Sequence, residues 1–260
     1  MGKLSSASPS VDFALAQAAN KGLWTRYWKY NLAATTAGLA TGGYVSGGRH
    51  PATLSLPASF ASGVTGMRFT QCDMLNEDAS TTCVCALEYT LGSFVMNTST
   101  FTDGVAMPTK TIRGVSLQSA TVMPVIAYTV AATGTAPTFT ITYTDQDGNT
   151  GITMTIAPPA AAAINSAYLM TPHLASGDTG IRDVTNISKV GGTNGTVVVY
   201  GLLPIAMSHV VITGAMSGYN PFMLPVMPWI GEAGERIAFY RFGATGSHDM
   251  QAVISAVADD

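Results

Sequence analysis

Three consecutive residues, Ser247, His248 and Asp249, carry the side-chain types of a nucleophile, a base and an orienting acid. In an extended chain adjacent side chains point to opposite faces, so these three cannot converge on one reacting carbonyl. No Gly-x-Ser-x-Gly elbow offers a second nucleophile. The histidines His50, His173, His209 and His248 are scattered, with no His-x-His or His-x-x-x-His pair and no Cys-x-x-Cys, so no zinc ligand set is expected. Asp145-Gln146-Asp147-Gly148-Asn149 opens like a calcium loop, with oxygens at alternate positions and a glycine. Ile156 stands where an EF-hand needs its bidentate Glu, and alternating segments flank the stretch, so a metal-free hairpin turn is the expectation. Glu232 and Glu235 lie beside Gly231 and Gly234 in a polar loop and assign no glycosidase pair. No glycine-rich phosphate loop sits at a strand-to-helix junction. The chain is therefore expected to be no enzyme and to carry no cofactor and no small-molecule substrate.

The most distinctive local cluster is aromatic and basic: Leu23-Trp24-Thr25-Arg26-Tyr27-Trp28-Lys29-Tyr30. Stacking on nucleic-acid bases would suit these types, but 12 basic residues against 15 acidic ones leave no wider basic patch. A membrane-surface helix is interrupted at Gly22. The remaining reading is an anchor, in which large aromatics fill pockets on a neighbouring protein surface or on the chain's own core. Leu15, Trp24, Tyr27, Trp28 and Tyr30 are the candidate interface residues, with neither nucleic acid nor membrane as partner.

Composition points the same way. The apolar fraction of 47% is ordinary, whereas the charged fraction of 10% falls well below the roughly one quarter typical of globular domains. A net charge of −3 gives little colloidal repulsion, so much of the surface is expected to face other protein chains. No apolar run is long enough for a membrane-spanning helix, and MGKLSS precedes no apolar signal region. Three cysteines, Cys72, Cys83 and Cys85, are an odd number and suit a reducing cytoplasm better than a disulfide framework.

The elements that would position these residues change character along the chain. Val11, Ala14, Leu15 and Ala18 form one apolar stripe behind Pro9, predicting a short helix that ends near Asn20 and Gly22. The small-residue stretch Ala33 to Gly48 reads as an extended arm across another surface. From about residue 53 the period becomes two. Cys83, Cys85, Leu87, Tyr89 and Leu91 alternate with Val84, Ala86, Glu88 and Thr90 in one long strand. Phe139, Ile141 and Tyr143 share one face of a second, with Thr138, Thr140, Thr142 and Thr144 on the other. The turn at Asp145 to Asn149 returns it through Ile152, Met154 and Ile156. Further strands are expected around Thr121 to Val130, Thr196 to Leu203, Met207 to Thr213, Arg236 to Phe242 and Met250 to Val257, with Leu174 to Gly195 irregular. The pattern predicts an all-β, antiparallel, jelly-roll-like sandwich over 51–260, preceded by a helix and arm over 1–50. Pro158-Pro159 and the alanines after them place a candidate internal boundary near 158–165.

Several segments, in order along the chain, are similar to uncharacterised structural proteins of tailed bacteriophages. They are Gly22 to Trp28 with Ala34 to Gly38, Pro137 to Asn149, Gly177 to Val184, and Gly201 to Ala206 followed by a closing β segment. The resemblance implies a virion protein made in the host bacterial cytoplasm. It would be a capsid-associated minor or decoration subunit that contacts copies of itself and other virion proteins such as the major capsid protein. It supplies no catalytic residues. The other function class left open is a tail-associated sandwich that binds a host receptor or glycan, for which Tyr219, Asn220 and Trp229 offer a patch.

Overall fold

A computed structural model describes residues 23–32, 45–49, 54–56, 66–76, 81–97, 100–103, 111–112, 115–116, 122–160, 162, 164–210, 230–231, 234–242 and 248–259. These residues form strands and one 3₁₀ turn, Thr171–His173, with no α-helix among them. The helix expected at Val11 to Ala19, and Leu15 with it, lies outside the described residues. In chain order the strands are β1 (Leu23–Leu32), β2 (Val45–Arg49), β3 (Leu54–Ser55), β4 (Gly66–Asn76), β5 (Thr81–Val95) and β6 (Thr100–Asp103). Then come β7 (Thr111–Ile112), β8 (Val115–Ser116), β9 (Met123–Thr133), β10 (Thr138–Asp145), β11 (Ile152–Ile156) and β12 (Ser166–Leu169). The last are β13 (Ile181–Val190), β14 (Asn194–Val210), β15 (Ile230–Gly231), β16 (Arg236–Phe242) and β17 (His248–Asp259). All pair antiparallel.

The centre of the fold is a closed ring of six strands, β16-β2-β12-β9-β14-β5, sealed by the pairing of β5 with β16. Side chains alternate between the lumen and the outer wall, as a barrel requires. The lumen holds Val84, Ala86, Val125, Ala127, Ala167, Val198, Tyr200, Leu202, Ala238, Tyr240 and Phe242 as one packed cluster. A ring this small has room for few large side chains. Ala86, Ala127, Ala167 and Ala238 make space for Tyr200, Tyr240 and Phe242, and Tyr240 stacks on Phe242 at 6.0 Å between ring centroids. Gly47 on β2 belongs to the same set, pairing with Ala167 on one side and Phe242 on the other.

Against the outer wall lies the three-stranded sheet β11-β10-β13. Phe139, Ile141, Tyr143, Met154, Ile156, Val184 and Ile187 from that sheet pack on Leu91, Phe94, Ile126, Tyr128, Val197 and Val199 from the barrel. Phe94 and Phe139 meet edge to face at 6.2 Å, a favoured aromatic geometry that ties the two layers. A separate four-stranded sheet, β1-β17-β4-β15, joins the first strand to the last.

Several expectations are corrected here. The stretch up to Gly48 is not all arm, because Val45–Arg49 is a barrel strand whose glycines suit the narrow ring. The two strands expected at Thr196 to Leu203 and Met207 to Thr213 are one, since β14 continues past Pro204 by taking a register shift between Pro204 and Ala206. A bulge lets a strand carry a residue with no N–H to donate. The segment expected to be irregular contains β13, whose two register shifts against β10 blur its alternation.

Candidate functional site

Charge is scarce in this chain, so its burial marks a place of consequence. Glu88 on β5 points into the barrel lumen and its side chain is fully shielded from solvent. Its carboxylate accepts two parallel hydrogen bonds from Arg49 on β2, Nε to Oε2 and Nη2 to Oε1, both at 2.7 Å. The Tyr240 hydroxyl on β16 donates to Oε2 at 2.5 Å, and Arg236 Nη2 at the start of β16 donates to Oε1. Arg49 also lies over the Tyr200 ring of β14, 4.9 Å from its centroid, within cation–π range. Strands β5, β2 and β16 are those that close the ring, so this cluster sits at the seam.

The electrostatics follow from the geometry. Burial alone favours a neutral Glu88, but the hydrogen bonds and charge of Arg49, then Tyr240 and Arg236, override it and hold the carboxyl below its ordinary range. Burial likewise opposes the charge on Arg49, and Glu88 overrides that, raising the guanidinium further. Tyr240 is pushed well above the usual phenol value by burial and then by the charge of Glu88. The result is a fixed ion pair among protonated phenols. A carboxylate has about four lone-pair sites, and all are taken by donors here, so Glu88 has none left to accept a substrate proton. Its chemistry is that of a clamp.

A second constellation lies at the tip of the β10–β11 hairpin. Asp145 Oδ1 accepts the backbone N–H groups of Asp147 and Asn149, both at 2.8 Å, while its Oδ2 accepts Asn149 Nδ2 at 2.7 Å. These bonds hold the Asp145 carboxyl below its usual value against the desolvation that would raise it. Gly148 takes φ +91°, a conformation an L side chain rarely adopts, so glycine fits the turn. The hairpin is then fastened to the loop before β13. The Tyr143 hydroxyl donates to Asp178 at 2.5 Å and accepts the Ala175 N–H at 3.0 Å. Gln146 Oε1 accepts the Thr179 N–H at 3.0 Å, and Arg182 Nη2 donates to the Gln146 carbonyl. Two segments singled out in the sequence, 137–149 and 177–184, thus form one built corner.

Of the sequence-predicted interface residues, Trp24, Tyr27, Trp28 and Tyr30 pair along β17 with Ala256, Val253, Ala252 and Met250. Glu235 is engaged by the Tyr89 hydroxyl at 2.8 Å. His248 and Asp249 are consecutive residues of β17. Glu232, Tyr219, Asn220, Trp229, His50 and Ser247 lie outside the described residues. Sequence reasoning missed the Arg49–Glu88–Arg236–Tyr240 cluster. Its one available signal was Glu88 itself, an acid in an otherwise apolar alternation in a chain poor in charge. Among the described residues no group of three or more His, Cys, Asp or Glu side chains is placed to hold a metal ion. No helix among them is long and apolar enough to cross a membrane, which says nothing of membrane β-barrels.

No protein-family model matches this chain, and no curated protein matches it. A chain of the solved structure titled "Structure of infectious bursal disease virus Gt strain" aligns over 92% of this chain and 81% of its own, at 11% identity. The TM-score of that alignment is 0.19, too low to carry an argument about fold or function.

Proposed function

We propose that this chain is a non-enzymatic structural component of a tailed-bacteriophage virion, a capsid-associated minor or decoration subunit that stabilises the particle through protein–protein contacts. The observation that carries the reading is the outer face of the three-stranded sheet. Its central rows are Ser188–Thr140–Thr155 and Asn186–Thr142–Thr153, uncharged and in register across β13, β10 and β11. Thr153, Thr155, Asn186 and Ser188 are exposed. Covering hydroxyls and amides with another protein costs far less desolvation than covering lysines or carboxylates, and interface cores are depleted of charge. The resemblance of 137–149 and 177–184 to phage structural proteins falls on this sheet and its fastened corner. Two layers, barrel wall and covering sheet, fit a sandwich-type architecture.

The two charged constellations support the same reading. Glu88 is spent on holding the barrel seam and Asp145 on holding its turn, so each serves rigidity. The experiment is a reconstruction of the purified particle with this subunit placed. Density for the chain on the capsid, touching neighbours through the threonine face, is the expected result. Absence of the chain from purified particles overturns the assignment. So does turnover of ester, glycoside or nucleotide substrates that is lost on a single Ser, Asp or Glu substitution.

A further inference from the structure

The two edges of the three-stranded sheet are treated differently. β13 carries Arg182, Asp183 and Lys189 and takes two register shifts against β10, devices that keep an exposed edge from pairing with another chain. β11 has neither. It is Ile152-Thr153-Met154-Thr155-Ile156, uncharged and without proline, and its pairing with β10 runs unbroken from Phe139–Ile156 to Tyr143–Ile152. In the described sheet its other side has no strand partner.

The sequence of β11 reads the same in both directions about Met154. For an antiparallel strand this has a specific consequence. A second copy of β11 laid alongside with Met154 on the twofold axis pairs Ile152 with Ile156, Thr153 with Thr155 and Met154 with Met154. Every residue then meets its own kind or its own row, the self-complementarity that a twofold interface requires. A shift by one residue opposes threonine to isoleucine or methionine and places hydroxyls on the apolar face, whereas a shift by two keeps the faces but pairs only three of the five residues. Pro158 and Pro159, just past the strand, lack the N–H groups needed to extend the ladder and so limit slippage.

We propose that β11 pairs with β11 of a second copy of this chain, joining the two three-stranded sheets into one continuous six-stranded sheet. The rows of the polar face then run unbroken across the axis, Ser188–Thr140–Thr155 continuing into Thr153–Thr142–Asn186 of the other copy. The apolar row Ile141–Met154 continues likewise on the barrel side. This pairing rests on the strand alone and stands whether or not the chain is a virion protein.

The test uses the full chain and two double variants at the same pair of positions. T153K/T155K sets like charges opposite each other at two symmetric places across the axis, whereas T153K/T155E sets opposite charges there. The two variants disturb each copy's own β11 in nearly the same way, so circular dichroism and melting control for folding. Sedimentation equilibrium is expected to show a wild-type dimer, association roughly tenfold or more weaker in T153K/T155K, and dimer retained in T153K/T155E. A monomeric wild type overturns the proposal, as does any oligomeric state that is the same in both variants. Loss of this dimer would leave the particle-localisation experiment unaffected, so the two readings fail separately.

Discussion

Replacing Glu88 by Gln preserves the size of the side chain while removing the only negative charge in the lumen cluster. Arg49, buried at the seam, then keeps its guanidinium with no counter-charge, and one of the two carboxylate oxygens becomes an amide that donates. Arg236 is the lesser loss, because its side chain is 41% exposed and water can replace the bond. Breaking a buried pair from one side costs about 3–5 kcal/mol, since the surviving charge stays desolvated. For a chain of this size that corresponds to a melting temperature lower by roughly 6–15 °C. The partner experiment is Glu88→Leu with Arg49→Met, which removes both charges and leaves the Tyr240 hydroxyl orphaned, at a cost of about 1–3 kcal/mol. The double variant is thus expected to be more stable than Glu88→Gln, and urea denaturation with unchanged slopes measures both. The pH dependence supplies an independent check. Folded Glu88 releases its proton more readily than an unfolded Glu, whose ordinary value is 4.5, so in acid the unfolded state binds more protons. The stabilisation is complete above that value and is lost as pH falls below it toward the folded value, a slope that Glu88→Gln lacks. If Glu88→Gln stays within about 1 kcal/mol of wild type, or the double variant is the worse of the two, the clamp reasoning is refuted.

The hairpin turn is expected to need no metal, because Asp145 already has both oxygens occupied by Asp147 and Asn149. Melting temperature should be the same with chelator and with added calcium, and a rise of many degrees on calcium addition sinks the turn reading. Tyr143→Phe removes a donor to Asp178 and an acceptor for Ala175, and is expected to lower stability by about 1.5–3 kcal/mol in denaturant titrations. Tyr143 and Tyr168 are both pushed up to about 12, chiefly by burial. Their contribution to stability is therefore whole below the ordinary phenol value of 10.0 and is lost as pH rises toward and through 12. Phenolate absorbance followed against pH should show a delayed fraction that appears together with unfolding, and full titration near the ordinary value would count against this burial.

The hairpin was legible residue by residue. A period of two with Thr on one face and Phe139, Ile141 and Tyr143 on the other makes pairing, register and turn nearly local matters, and the observed register follows that alternation. β16 was legible to its ends for a different reason, an aromatic-rich run bounded by Gly234 and Gly243, although both its faces are buried. Other elements were obscured by features that break local periodicity. β5 is legible as one long strand, but both its faces are buried, Val84 and Ala86 in the lumen and Cys85 and Leu87 outside, so its alternation does not tell the lumen from the outer wall. Bulges then shift the face along β14 and β13. Closure of the barrel depends on β5 meeting β16 across about 150 residues of chain, and no local pattern encodes such a pairing.

The same distance explains why the lumen cluster was invisible while its members were in plain view. Arg49 comes from a glycine-rich strand that looks like an arm, Glu88 from an apolar one, and Arg236 and Tyr240 from a third. Each alone looks like an ordinary polar residue on a strand. Together they solve a problem the ring itself creates. Ala86 lies beside Ala238 across the β5–β16 seam, and β2 meets β16 over only three residue pairs, Tyr240–Arg49 to Phe242–Gly47. Where Ala86 meets Ala238, and over the short contact of β2 with β16, little shape resists a shift of register. Sliding β2 by one residue would turn Arg49 to the outer wall and take both its hydrogen bonds from the buried Glu88, and sliding β16 would do the same with Arg236 and Tyr240. That penalty falls on slipped registers and spares the correct one, which makes the cluster a device for uniqueness more than for gross stability. It also ranks the variants: Glu88→Leu with Arg49→Met should keep most of the melting temperature yet lose hydrogen-exchange protection specifically along β2 and β16. Uniform protection in that double variant would assign register selection to the backbone pairing and remove this role from the ions.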